Sequence, residues 1–460
     1  MKANALFLFL ALVCSSCGKV PESNPKTSVA PTPISTESSS TEEGTPKLPK
    51  NPETAVYSYS FPNLSKTTMP ITGWVAPWHV DEVNHQTIEQ YRRIKEAGLN
   101  CIYGLYERIG VSDPYVYTAL DLASQAGIGY LVRDESLGVL AEEATEFKEH
   151  MDAFAEYSSF AGIFAADEPG KNRFSSFVAA RKMMRQYYTK YAYYLNTFPM
   201  YATGTQFSGT SEEITYDDYV TSFLSTVQPQ MFSYDFYGTN GDFPAVDEGY
   251  FKQIYASKNY ADAYRVPFWP FLQACSYGRR TRIPRAEDIY WQVGANVVYG
   301  AKAIQWFCYQ TPYEEQSWGG NFIDAEGNKT ALFPYFQRAN AFVASVDDIL
   351  MRSSLVDMLS FGSSPAPLPE EQEFVQYSRE LASVSTQDDA LIGMFNHEGK
   401  TAIYVLNNNM TKDANLILRF VAPVDATVIS FDDTNEETGI ESLSLHIKAG
   451  ESALVDLTNY

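Results

Sequence analysis

Two adjacent carboxylates, Asp167 and Glu168, end the apolar segment AGIFAAD (161–167) and are followed directly by Pro169 and Gly170. A short apolar segment predicts a buried strand, and the Pro-Gly pair predicts a turn immediately after it. A glutamate beside a second acid and among apolar groups should have a raised pKa, which suits a general acid. We therefore predict that Glu168 donates a proton at the end of a strand, while Asp167 orients it or binds a substrate hydroxyl.

Eight short apolar segments recur along residues 73–310, and each ends in polar or aromatic residues. Their starts lie about 26 to 38 residues apart, which leaves room for a helix between consecutive segments. The intervals 87–98 and 174–191 have apolar residues at helical spacing. Eight such units in a row predict a (β/α)8 barrel. The predicted strands are 73–78, 99–106, 127–134, 161–167, 192–197, 229–237, 267–274 and 302–310.

The ends of these strands supply the candidate site, because the active site of such a barrel lies at the carboxyl ends of its strands. Acids, amides and aromatic rings meet there, which suits glycoside cleavage by one protonated and one ionised carboxyl beside flat faces for the sugar. The predicted catalytic pair is Glu168 and Asp235. The predicted substrate-binding residues are Trp74, Trp78, Asp134, Asp167, Asn196, Tyr237, Gln273, Trp306 and Tyr309.

Several of these side chains also have a purely structural interpretation. Asp235 suits a helix N-cap or an ion pair with Arg133 as well as it suits catalysis. Asn196 and Gln273 can bind sugar hydroxyls or satisfy the main chain at strand ends. Each aromatic residue can pack in the core, so we expect only some of them to line a cleft.

The triplet Asp167-Glu168-Pro169 on the fourth predicted strand resembles clan A glycoside hydrolases, whose acid/base Glu follows Asn at that place. Asp in place of Asn is found in a set of secreted bacterial hydrolase-like lipoproteins. The sequence is also similar to these at 233–237, 296–301 and 304–307, and the resemblance covers roughly residues 70–350 and the β-domain that follows. It implies a hydrolase of oligo- or polysaccharides, with Glu168 as acid/base.

The seventh predicted strand departs from this family. Clan A enzymes carry a nucleophilic Glu at its end, where this sequence has Gln273, and no carboxylate follows until Glu287. Another acid must then take the role, or the protein binds carbohydrate without cleaving it. A structural or adhesive lipoprotein whose β-domain carries the interaction is a third hypothesis. Asp235 is the first choice for the second carboxylate, and the others are Asp134, Glu107, Glu314 and Glu315.

The two ends of the chain predict a tethered protein with a second domain. Residues 1–17 resemble a bacterial lipoprotein signal peptide with Cys17 as the lipidated residue, and 18–65 are rich in Ser, Thr, Pro and Glu, which predicts a flexible tether. We expect a lipid anchor in the bacterial cell envelope. The barrel is predicted over 66–352, and alternating apolar residues within 353–460 predict a small antiparallel β-sandwich.

Composition narrows the ligands further. The net charge of −22 argues against nucleic acid and anionic lipid surfaces as partners. Five His residues without ligand spacing, and three Cys within apolar segments after the signal, predict no metal site and no cofactor. A carbohydrate is therefore the predicted partner, with membrane contact only through the lipid.

Overall fold

The fold is taken from a computed structural model that describes residues 64–106, 114–134, 137, 144–278, 281–362, 380–397 and 399–457. The predicted signal peptide with Cys17, nearly all of the predicted tether and the candidate acid Glu107 lie outside the described residues. Most of the proline-rich segment 361–373 also lies outside the described residues.

Eight parallel strands form a closed barrel, in which each strand pairs with the next along the chain and the eighth pairs with the first. The strands are β1 (Ile71–Trp74), β2 (Cys101–Tyr103), β3 (Gly129–Arg133), β4 (Phe160–Asp167), β5 (Ala192–Thr197), β6 (Phe232–Asp235), β7 (Phe268–Gln273) and β8 (Ile304–Phe307). A short hairpin joins 79–80 to 83–84 after β1. The predicted (β/α)8 barrel is confirmed.

Helices follow the strands and cover the outside of the barrel. They are α1 (Ile88–Glu96), α2 (Pro114–Ala126), α3 (Ala144–Ala155), α4 (Val178–Tyr187), α5 (Gly204–Ser208), α6 (Tyr216–Val227), α7 (Tyr250–Tyr264), α8 (Ala286–Val297) and α9 (Phe333–Arg352), with a 3-10 helix at Lys171–Phe177. Polar caps begin several of them: the hydroxyl of Thr87 accepts a main-chain N–H at the start of α1, and Thr215 forms a capping box with Asp218 at α6. No described helix has both the length and the apolar character that crossing a bilayer requires.

Aromatic rings fill the interior of the barrel below its carboxyl end. The ring of Tyr103 lies 4.9 Å from that of Tyr194, 5.7 Å from that of Phe164 and 5.9 Å from that of Phe271, centroid to centroid. These four side chains come from β2, β5, β4 and β7 and are all buried. They form a packed layer on which the polar residues of the strand ends rest.

An antiparallel domain follows α9, as predicted for a β-sandwich. Its strands are β9 (Ser354–Phe361), β10 (Leu381–Ser385), β11 (Ala390–His397), β12 (Lys400–Asn407), β13 (Ala414–Ser430), β14 (Thr434–Ile447) and β15 (Ser452–Asp456). All seven strands are hydrogen-bonded in one continuous sheet, in which the long strand β13 pairs with β10 near its start and with β15 near its end. Ile403 and Val405 of β12 face the hydrophobic core within the antiparallel domain. Tyr404, between them, packs in the core that this domain shares with the barrel. Strand β12 is therefore buried on both faces.

Candidate active site

Three residues at the ends of β4, β5 and β6 form one hydrogen-bonded unit, which we call the acid group: Asp167, Asn196 and Asp235. The Asn196 side-chain amide donates to Asp167 Oδ1 at 3.1 Å and to Asp235 Oδ1 at 2.9 Å. Because both bonds start at the same nitrogen, the two carboxyl oxygens are at most about 6 Å apart. The barrel therefore brings together three residues that lie far apart in the sequence.

A register shift in β4 decides which acid enters this group. The pairing with β5 shifts between Phe164 and Ala166, so that Asp167 comes opposite Asn196. Such a bulge re-aims the side chains that follow it. Gly162 lets the two strands approach closely, since a Cβ there would lie 2.1 Å from the carbonyl oxygen of Ala192.

Glu168 follows directly in a left-handed backbone conformation, with φ of 43°. Its N–H donates to the carbonyl oxygen of Asn196 at 2.9 Å, which holds the turn beside the acid group. A left-handed conformation costs a residue with a side chain about 1 kcal/mol or more, and such strain clusters at functional sites. The side chain of Glu168 is half-buried.

The pKa of the Asp235 carboxyl is raised to about 7, first by burial and then by the nearby charge of Asp167, while the hydrogen bond from the Asn196 amide opposes the rise. Burial also raises the pKa of Asp167, but there the positive charge of Arg133 and the Asn196 amide oppose it. The guanidinium of Arg133 lies 4.4 Å from the centre of the Phe164 ring. The two carboxyls therefore differ in surroundings: Arg133 favours the ionised form of Asp167, whereas Asp235 changes charge near neutral pH.

Aromatic rings stand beside the acid group and form what we call the aromatic wall. The ring of Phe307 stacks on Trp74 at 5.3 Å and on Tyr237 at 4.9 Å, centroid to centroid. Tyr237 lies close enough to Asp235 for that carboxylate to raise the pKa of the tyrosine, after burial itself. Flat apolar faces beside acids are suited to sugar rings. The wall consists of Trp74, Tyr237, Tyr277, Phe307 and Trp318.

Sequence reasoning did not single out three residues of this wall. Phe307 lies inside a predicted strand, and its inward direction follows only from the register of β8. Tyr277 and Trp318 lie in the loops after β7 and β8, where no periodic pattern indicates a direction. The sequence also does not indicate that Tyr201 lies near the site. This residue is 39% exposed, and its ring lies 5.0 Å from that of Phe236, the residue after Asp235.

Two predicted aromatic residues lie in the outer layer of the barrel, away from the acid group. The Trp306 indole N–H donates to the Asn340 side-chain oxygen on α9 at 2.9 Å, and its ring contacts Phe336 of the same helix. The Tyr309 ring packs 5.3 Å from that of Phe322. Neither contacts the acid group, because each points towards the helices.

Trp78 and Asp134 also have partners outside the acid group. The Trp78 indole N–H donates to the carbonyl oxygen of Thr311 at 3.1 Å, and the ring packs against His85. Asp134 is buried and contacts the His150 ring nitrogen at 2.7 Å, on α3. Trp78 therefore joins the loop after β1 to the loop after β8, and Asp134 joins the end of β3 to α3.

Gln273 ends β7, and its carboxamide is fully engaged with the main chain. Its nitrogen donates to the carbonyl oxygens of Cys275 at 3.0 Å and Arg282 at 3.1 Å, and its oxygen accepts from the Thr239 N–H at 3.3 Å. These bonds join the loops after β6 and β7. Glu314, a candidate acid after β8, accepts from the Tyr106 hydroxyl at 2.6 Å. Within the described residues no three His, Cys, Asp or Glu side chains converge as a metal site would need.

No protein-family model matches the sequence, and no curated protein matches it significantly. Similar solved structures include a glycoside hydrolase family 5 protein from Bacteroides vulgatus, which is 13% identical, with a TM-score of 0.49 over 84% of this chain and 88% of that chain. Another is a glycoside hydrolase that is 11% identical, with a TM-score of 0.49 over 87% of this chain and 99% of that chain. A β-galactosidase from a psychrophilic Marinomonas is 10% identical, with a TM-score of 0.41 over 62% of each chain. At this distance the likeness reveals neither a substrate nor a catalytic residue of this chain.

Proposed function

We propose that the protein is a glycoside hydrolase that cleaves an oligo- or polysaccharide at the carboxyl end of its barrel. Glu168 is the proposed general acid/base, and Asp235 is the proposed second carboxylate. The observation that carries the proposal is the acid group itself, in which the buried carboxyl of Asp235 and the half-buried carboxyl of Asp167 share one amide beside a wall of aromatic rings. Glycoside cleavage needs one carboxyl to protonate the leaving oxygen and a second, ionised carboxyl at the same bond.

The surroundings of the acids support different roles for them. Asp235 is buried and has a pKa of about 7, so it changes charge near neutral pH, while Arg133 favours the ionised form of Asp167. Glu168 is half-buried at the turn directly after Asp167, at the rim of the barrel where the acid group lies. The aromatic wall, with Trp74 and Tyr237, lies beside the acid group and supplies aromatic rings of the kind that pack against sugars.

A substrate screen tests this proposal. The protein is assayed against chromogenic glycosides and against plant and host polysaccharides, and turnover is compared in wild type and in Glu168→Gln. Glu437→Gln is the matched control, because Glu437 is exposed on the β-domain strand β14. Turnover that is lost in Glu168→Gln and kept in Glu437→Gln supports the proposal. Turnover that survives in Glu168→Gln removes that residue from the mechanism.

A non-catalytic carbohydrate-binding barrel is the second candidate, and Gln273 favours it. The end of β7 has no carboxylate, and the carboxamide that stands there already bonds to three main-chain groups. This candidate predicts sugar binding by calorimetry without turnover in either wild type or Glu168→Gln. Absence of any sugar binding contradicts both candidates.

We also propose that the chain is lipid-anchored in the bacterial cell envelope through Cys17. The support is the order of a basic residue, a short apolar run and Cys17 within the first seventeen residues. Mass spectrometry of the N-terminal peptide from membranes tests it, with Cys17→Ala as the comparison. A wild-type peptide without lipid overturns the anchor.

A further inference from the structure

A chain of buried polar side chains crosses the interior of the barrel and ends at the acid group. Thr72 on β1 donates to the Tyr103 hydroxyl at 3.3 Å, and Tyr103 donates to the side-chain oxygen of Gln305 on β8. The Gln305 nitrogen donates to the Ser233 hydroxyl at 3.0 Å, and Ser233 donates to the Asn196 side-chain oxygen at 2.9 Å. All five side chains are buried. We call these five residues the polar chain.

A main-chain carbonyl sets the direction of the polar chain. The Gln305 nitrogen also donates to the carbonyl oxygen of Trp269 at 2.8 Å. A carbonyl can only accept, so the nitrogen of Gln305 must face Trp269, and its oxygen must face Tyr103. The same nitrogen then donates to Ser233, whose single proton is left for Asn196. Backbone geometry therefore fixes the orientation of each side chain that follows.

The other end of the polar chain requires the same direction. The Asn196 amide nitrogen faces two carboxyl oxygens, those of Asp167 and Asp235, so its oxygen must face Ser233. The Tyr194 hydroxyl lies 2.6 Å from Ser233, whose proton is already committed to Asn196, so Tyr194 is the donor there. Both ends therefore agree, and every hydrogen bond between members of the polar chain runs, from donor to acceptor, towards the acids.

We propose that Asn196 is a positioning residue whose amide holds Asp167 and Asp235 in one fixed geometry. The other four residues of the polar chain, from Thr72 to Ser233, keep this amide from turning over. The bearing of this proposal on catalysis rests on the proposed function, but the geometry itself does not. A turned amide would place its oxygen against two carboxyls, and repulsion would separate them. The polar chain thus keeps the carboxyls of Asp167 and Asp235 at a fixed separation.

The aligned donors also act on the charge of the acids. Donors that point at a carboxyl favour its ionised form, so they oppose the effect of burial on the pKa of Asp235 and Asp167. Other titratable groups lie near the pair on the neighbouring elements. These groups are Arg133 of β3, Glu168 after β4, Tyr194 of β5, Tyr216 and Tyr219 of α6, and Tyr237 after β6.

Carboxyl NMR titration of protein labelled with ¹³C-aspartate tests the proposal without any substrate. The Asp235 signal is assigned by its loss in Asp235→Asn. The variants are Asn196→Ala, Ser233→Ala and Gln305→Met, all of them neutral, so that no new charge confuses the result. Ser159→Ala is the matched control, because Ser159 is buried directly before β4, at the opposite end of that strand from the acids, and its hydroxyl donates to the carbonyl oxygen of Leu120.

The expected result is a graded rise in the midpoint of the Asp235 titration. The rise should be largest in Asn196→Ala, about one pH unit or more, then smaller in Ser233→Ala and Gln305→Met, and absent in Ser159→Ala. Circular dichroism checks the fold, and Gln305→Met carries the test if Ser233→Ala does not fold. Midpoints within about 0.3 pH unit of wild type in both of these variants overturn the proposal. Because titration needs no turnover, this failure is distinct from a failure to find a substrate.

Discussion

Two sides of the barrel mouth carry polar residues at strand ends, but these residues bond to different partners. On the side of β4 to β6, Asn196 bonds to the carboxyls of Asp167 and Asp235, and burial opposes the charge of both. On the side of β7, the carboxamide of Gln273 bonds to main-chain groups of the loops after β6 and β7. The first side holds acids in unfavourable surroundings, whereas the second side only joins loops.

This difference shows how a polar strand end can be assigned. A carboxamide whose hydrogen bonds all go to the main chain has little capacity left for a ligand, so Gln273 stabilises its loops. Buried carboxylates with a raised pKa lower the stability of the fold, and such groups cluster where chemistry requires them. The β4–β6 side is therefore the place to look for reacting groups.

Replacing Asp235 by Asn should produce the largest effect on activity. The amide keeps the shape of the side chain and can still accept a hydrogen bond from Asn196, but it cannot ionise or transfer a proton. We expect turnover to fall about 10²- to 10⁴-fold, with the fold retained. Steady-state rates on the substrate from the screen measure this. Wild-type turnover in Asp235→Asn would remove Asp235 from the mechanism.

The same variant should change how stability depends on pH. Asp235 has a pKa of about 7 in the folded protein and an ordinary value of 3.8, so between these values the folded state binds more protons than the unfolded state. The free energy of unfolding should therefore fall as the pH rises through this window, by up to about 4 kcal/mol from this group. Urea unfolding at pH 4 to 8 measures the slope, which should be shallower in Asp235→Asn. If the free energy of unfolding changes with pH in the same way in both proteins, the raised pKa of Asp235 is contradicted.

The fold could be predicted from the sequence because its pattern is repeated. Eight apolar segments at helix-sized intervals leave few arrangements other than a closed barrel, and the alternating segments after α9 indicate a sheet. The meeting of Asp167, Asn196 and Asp235 follows from the same topology, because parallel strands end at one rim. The topology places the three residues at one rim, whereas the contact between Asp167 and Asn196 also depends on the register of β4.

The direction of individual side chains could not be predicted in the same way. Alternate residues of a strand face opposite sides, so Gln305 and Phe307 face inwards while Trp306, between them, faces α9. A one-residue error in register exchanges the two sets. In β4 the shift after Phe164 brings Asp167 opposite Asn196, and nothing in the letters of the sequence marks that shift.

Replacing Gln273 by Leu should cost stability, although no chemistry is assigned to it. The change leaves the Thr239 N–H and the carbonyl oxygens of Cys275 and Arg282 without their partner in a buried place, at a cost of about 3 kcal/mol. Gln310→Leu is the matched control: Gln310 is also buried, but its amide atoms have no hydrogen-bond partner among the described residues. We expect Gln310→Leu to be neutral or stabilising. Equal losses in urea unfolding would falsify the distinction between them.

The smallest effect is expected from Trp306→Phe, which separates packing from binding among the aromatic residues. Trp306 is fully buried, and its indole N–H satisfies the Asn340 oxygen at 2.9 Å, while the Asn340 nitrogen donates to Ala97 at 2.7 Å. A phenyl ring fills most of the space but leaves that oxygen without a donor, so the free energy of unfolding should fall by about 1 kcal/mol. Sugar affinity should not change, because Trp306 faces α9.

Trp74→Phe is the comparison, since Trp74 stacks on Phe307 in the aromatic wall and its replacement should weaken sugar binding. Calorimetry that finds the weaker binding in Trp306→Phe instead would place the sugar on the outer side of β8 and contradict the site.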